Sequence, residues 1–161
     1  MDNAAAEVLA VDFGSWREFN LLQVGADGKA TRTLYLRLRN TGKTVLTGCT
    51  VSIRATVPGL WKLSGRVLVS QLRLPPGRTN LVPFASHPEK PGGGLFDRGA
   101  LSIPKHKGAR FWTRPVTLPT PRPDRPLTLV LEASAQQSAS VLASVRLWVE
   151  PCSGRLRAVV A

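Results

Sequence analysis

Residues that build catalytic and metal centres are scarce in this chain. It has two histidines (His87, His106) and two cysteines (Cys49, Cys152) in 161 residues. A nucleophilic triad needs a Ser or Cys held against a histidine and an acid. Neither histidine lies in a recognisable nucleophile motif, and His87 precedes a proline in what reads as a loop. A zinc site needs clustered ligand pairs; the cysteines stand far apart, and His87-Pro88-Glu89 is a single short cluster. Phosphate loops are absent too: Gly92 to Gly94 follow a proline and lead into Leu95-Phe96, with no helix and no Lys-Ser/Thr pair. No enzyme is expected, and no catalytic, cofactor-binding or metal residue is assigned. Cys49 reads as a small core residue, with a bridge to Cys152 as the open alternative.

Long apolar runs are also missing. None approaches the about 18 residues of a membrane-spanning helix. Residues 2–11 have no positive n-region, and Glu7 interrupts their apolar run, so a secretory signal is not expected. Acid is the scarcer charge, at 10 Asp and Glu against 22 Lys and Arg, and it is unevenly spread. Residues 1–27 hold five acids and one base (net −4), whereas residues 28–161 hold 21 bases and five acids (net +16). A body this basic suits nucleic acid, an anionic lipid face or an acidic protein patch, and the acidic first segment could also meet the basic body of another copy. A solubility-related excess of arginine is the plain alternative.

What is abundant is proline (13) and glycine (14), which leave little room for long helices. The 43% hydrophobic content is enough for a core in one domain spanning 1–161. The clearest pattern lies in residues 31–55. Leu34, Leu36 and Leu38 alternate with Tyr35, Arg37 and Arg39, then Cys49, Val51 and Ile53 alternate with Thr50, Ser52 and Arg54. A period of two means two half-buried strands. Eight residues around Asn40-Thr41-Gly42 separate the runs, too many for a tight hairpin, so the connection is expected to cross between sheets.

Further strands are expected at residues 7–20 (with a short helix as the alternative there), 66–74 with a bulge or change of face, and 81–85. Pro83 in the last should lie at an edge or beside a bulge. Leu127, Leu129, Leu131 and Ala133, then Val141 to Val149, alternate as a closing pair joined by a short loop. Trp148 falls on the outward face, a contact position. Residues 151–161 read as a tail in which Leu156, Val159 and Val160 offer one more edge strand, to this chain or to a neighbour.

Residues 87–126 stand apart, with prolines at 88, 91, 104, 115, 119, 121, 123 and 126. Nearly forty residues with so many breaks exceed ordinary loops and read as an extended insertion or arm. Within it Arg98, Lys105, Lys107, Arg110, Arg114, Arg122 and Arg125 face Asp124 alone over 98–125, with Phe111 and Trp112 between them. Bases interleaved with aromatics can track a phosphate backbone or dock on acidic protein. Arg110, Phe111, Trp112 and Arg114 are the arm's candidate partner-binding residues.

The block from Val11 to Ser86, with VDFGSW, TRTLYLRLRNTGKTVLTGCTVSI and LRLPPGRTNLVPFASHP, resembles immunoglobulin-like modules of the Hydin type and related bacterial and viral domains. In these a strand ending in Asn-Thr-Gly precedes a Leu-Thr turn, and Pro-Gly follows later. The resemblance covers about half the chain and rests on turn and strand grammar. It implies an all-β, Ig-like antiparallel β-sandwich of about seven strands with Greek-key connections. With no catalytic grouping, it also implies a structural or interaction protein of a virion, such as a phage head decoration or capsid-associated protein. Such a protein is made in the host cytoplasm and binds other subunits of its assembly, copies of itself included, with no membrane span and no small-molecule substrate. Two other readings stay open: a nucleic-acid-binding accessory protein using 98–125, and a surface glycan-binding module stacking sugars on Trp61, Trp112 and Trp148.

Overall fold

A computed structural model of the protein describes residues 8–13, 20–89, 100–106 and 114–161. In chain order its strands are β1 (Leu9–Asp12), β2 (Asn20–Val24), β3 (Ala30–Asn40), β4 (Leu46–Val57), β5 (Arg66–Leu74), β6 (Thr79–Glu89), β7 (Ala100–Ile103), β8 (Val116–Pro119), β9 (Leu127–Ala135), β10 (Ser138–Val149) and β11 (Leu156–Val160). The described residues contain no helix. One antiparallel sheet runs β1-β3-β6-β7-β8, with β2 sharing the β1 side of β3; the other runs β11-β10-β9-β4-β5. The chain is all-β and sandwich-like, with both sheets contributing to a single apolar core.

Alternation explains the layers. Leu34, Leu36 and Leu38 of β3 and Cys49, Val51 and Ile53 of β4 are fully buried, and Leu127 and Leu129 of β9 pair with Leu147 and Val145 of β10 beside them. The link from β3 to β4 does pass from one sheet to the other. Asn40 anchors that passage. Its buried Nδ2 donates to the carbonyls of Thr44 (2.7 Å) and Leu74 (2.8 Å), and its Oδ1 accepts from the Gly42 amide (2.9 Å). Its own backbone binds Arg78 O and Gly77 N. One side chain thus ties the Asn-Thr-Gly turn to the Pro-Pro-Gly turn, which lie far apart in sequence.

Register shifts break the pattern in several strand pairs, with the clearest consequences in β5 and β6. In β5, Leu68 and Val69 are both buried and Gln71 takes a positive φ of 58°, so the strand changes face as its sequence indicates. In β6 the register against β3 slips between Ala85 and Pro83, which leaves Phe84 as the extra residue and sets Pro83 beside a bulge. The inward set therefore runs Val82 and Phe84, then Ala85, His87 and Glu89. A one-residue slip exchanges the faces of everything beyond it. For that reason His87, expected in a loop, lies in β6 and is 3% exposed; its Nε2 meets Thr120 Oγ1 at 2.9 Å and its Nδ1 meets Pro88 O at 2.7 Å.

The stretch read as an arm is different from that expectation in its described parts. β7 pairs with β8 over four positions and with β6 at Ser86 and Ser102. Leu101, Ile103 and Leu118 are buried in the core, so these short runs are sheet, closed by the same apolar burial as the main strands. Residues 90–99 and 107–113 lie outside the described residues. Cys49 and Cys152 are free. Burial pushes the Cys49 thiol pKa up, as suits an inert core residue.

Candidate functional site: the β4–β5 loop and its two flanks

The loop from Pro58 to Gly65 carries the most exposed of the large apolar side chains described, Trp61 at 84% exposure. It is braced from below. Thr56 Oγ1 donates to Pro58 O (2.8 Å) and accepts from Leu60 N (2.7 Å), Leu63 is fully buried, and Gly65 N returns to Ile53 O. Gly65 turns the chain into β5 at φ +78°, a conformation that glycine adopts without strain. Trp61 is thus a large apolar ring held out on an ordered loop, with Lys62 Nζ 5.8 Å from its centroid.

The loop walls two depressions. On one side a groove of about 750 Å³ is bounded by Pro58, Leu60, Leu118, Arg122, Asp124 and Arg125 among others. On the other a shallow bowl of about 330 Å³ is lined by Lys62, Ser64, Gly65, Arg66, Val67 and His106. Arg66 is central to the bowl. Its Nη2 donates to the carbonyls of Pro104 and Arg114, so the first residue of β5 clasps both ends of the stretch 105–113. His106 is oriented by Ser70, with Nε2 and Oγ 2.7 Å apart. Ser70 stands mid-strand in β5, so the pair ties that strand to the residues after β7.

The residues singled out from sequence fall in several places. Arg110, Phe111 and Trp112 lie outside the described residues. Arg114 is exposed, and its carbonyl accepts from Arg66 Nη2. Trp148 is half-buried on β10, paired in register with Arg157. Leu156 is no contact residue: it is fully buried, because β11 adds to β10 within its own sheet and its first side chain fills the core. Val159 and Val160 are exposed at the end of that strand, which forms one edge of the sheet. Arg66, Lys62 and His106 were not legible as a group, since they come together from β5, the loop before it and the residues after β7.

Among the described residues no three His, Cys, Asp or Glu are gathered as a metal site, and no helix is long and apolar enough to cross a membrane. No protein-family model, curated protein or solved structure matches the chain.

Proposed function

We propose that this chain is a non-enzymatic structural and interaction protein, a β-sandwich subunit that joins an assembly by seating the β4–β5 ridge on a neighbouring subunit. The observation that carries the reading is Trp61, 84% exposed on a loop braced by Thr56 and Leu63. Ordered aromatic side chains are favoured anchors of protein interfaces because they bring much apolar area at little entropic cost. Arg110, Phe111 and Trp112, which lie outside the described residues, keep their sequence-based reading as partner-binding residues in this proposal. Val159, Val160 and Trp148 form a second contact on the β10–β11 side.

The assembly proposed is a virion, with this chain as a head decoration or capsid-associated protein; the support is the resemblance to viral and bacterial Ig-like modules. The same resemblance makes the sandwich Ig-like with Greek-key connections, supported by β3 lying beside β6 and β4 beside β9. An experimental structure with β3 and β4 paired in one sheet would sink that part. For the function, purified protein is mixed with isolated capsids and sedimented. Wild-type protein is expected to co-sediment in a fixed ratio, and Trp61→Ala to lose that binding. A monomer that stays in the supernatant with capsid, tail and whole particles alike overturns the proposal.

A further inference from the structure

We infer that the bowl beside Trp61 is an oxyanion-binding site, and that its occupant is a carboxylate on an acidic, partly aliphatic segment of a partner protein. The second half rests on the function proposed above; the first does not. Four of the described arginines are half-buried: Arg32, Arg37, Arg66 and Arg157. Arg32 faces Glu89, Arg37 faces Asp12 and Arg157 faces Glu150. Arg66 alone of the four has no carboxylate. It holds two carbonyls through Nη2, and its Nε is buried with no hydrogen-bond partner. Burial lowers its pKa, and no carboxylate among the described residues pairs with it.

A guanidinium without counter-charge and with an idle buried donor is costly, and buried polar groups in folded chains are otherwise satisfied. Lys62 lines the same bowl and adds to the positive potential, with His106 and the Ser64 side of the loop completing the wall. A bound oxyanion supplies the missing counter-charge to the guanidinium, and guanidinium–carboxylate pairs are strong. The bowl's 330 Å³ holds such a group with water around it. Across the ridge the groove is walled by Pro58, Leu60 and Leu118, with Arg122 and Arg125 against Asp124. The apolar wall suits aliphatic side chains and the two arginines suit further carboxylates, which fits an acidic, partly aliphatic peptide.

The full ¹⁵N-labelled chain tests this by NMR. Inorganic phosphate, as the site probe, is expected to shift the Arg66 Nε–Hε resonance and the Gly65 and Arg66 amides in a saturable way. Lys62→Gln should weaken that binding by roughly two- to fivefold, and Arg66→Gln by at least about tenfold. Arg146→Gln, an exposed arginine on β10, should change nothing. Should Arg66→Gln disturb the fold, Lys62→Gln and His106→Gln carry the test, because neither side chain holds the clasped carbonyls. Shifts spread evenly over all exposed arginines, or indifference to Lys62→Gln, overturn the site. A peptide of about eight residues alternating Glu and Leu is expected to bind more tightly than phosphate and to perturb Leu60 and Leu118 as well. If an oligothymidylate of about ten nucleotides binds more tightly than the peptide, with steep salt dependence, the carboxylate occupant is overturned and the bowl belongs to nucleic acid. Capsid sedimentation reads the proposed function separately, so a saturable phosphate site with no capsid binding sinks that function and leaves the site standing.

Discussion

Arg32 and Arg66 occupy opposite flanks of the sandwich: Arg32 lies on β3 beside the β2 edge, and Arg66 begins the edge strand β5. Both are half-buried, and their surroundings differ in one respect. Arg32 gives Nε to Glu89 Oε2 and Nη1 to Asn20 Oδ1 at 3.0 Å; Arg155 approaches the other Glu89 oxygen at 3.5 Å, and Asn20 Nδ2 reaches Leu156 O. Charge and donors are answered inside the chain, and the network laces β2, β3 and β6 to the start of β11. Arg66 meets only carbonyls. The first arrangement is complete in the folded chain, whereas the second is completed by something else, which makes burial without closure the mark of a site here.

The comparison breaks most readily at Glu89. Glu89→Ala leaves Arg32, whose side chain is only 12% exposed, as an unpaired buried cation, and is expected to cost about 4 kcal/mol in urea unfolding. A loss below about 1 kcal/mol would mean that the closed flank is not held by its ions. Asn40→Ala tests closure without charge. It strands the carbonyls of Thr44 and Leu74 and the Gly42 amide, for about 3 kcal/mol in the same measurement. Arg66→Met should cost less, about 1–2 kcal/mol, because removing a cation without a counter-charge offsets part of the loss of its two carbonyl contacts. If Arg66→Met costs as much as Glu89→Ala, Arg66 is a structural residue and the contrast fails. Trp61→Ala should change stability by less than about 0.5 kcal/mol while abolishing capsid binding.

How much of this was legible in sequence follows the same line. Runs with a period of two, in β3 and β9 and over part of β4 and β10, are plain in the residues, because alternation directly encodes which face is buried. The phase of β6 beyond Phe84 is not, since a bulge depends on how β3 pairs with it; His87 and Glu89 therefore read as loop residues until the register is known. β7 and β8 are four residues each within proline-rich surroundings, so propensity alone points to an arm and pairing with β6 decides otherwise. Asn40 is visible as a turn residue, but its hold on Leu74, 34 positions away, is not. The bowl was hidden for the same reason: Arg66 meets residues 38 and 48 positions further on, and no local motif announces that. The exposed Trp61 beside Pro58-Gly59 was the part of the site that sequence could offer.

The smallest effect refines the closed flank at its rim. Glu150, after β10, accepts from Ser153 Oγ at 2.9 Å and from Arg157 Nε at 2.9 Å. The Ser153 hydroxyl first, and then Arg157, hold its carboxyl below the ordinary value of 4.5. A carboxyl whose pKa is depressed by folding adds stability above its unfolded value, and that contribution is lost as the pH falls through the folded value. Its side chain is 37% exposed, so solvent screens the pair and the gain is roughly half a kcal/mol at most. Wild-type protein should therefore exceed Glu150→Gln in urea stability at pH 6, and the two should converge as the pH falls past the unfolded value and through the depressed folded one. High salt should narrow the gap at pH 6, as it does for exposed pairs. A constant offset at every pH would mean that the substitution acts through packing instead. Glu150 would then be no ionic counterpart of Glu89, and closure by charge on this flank would end at the buried residues.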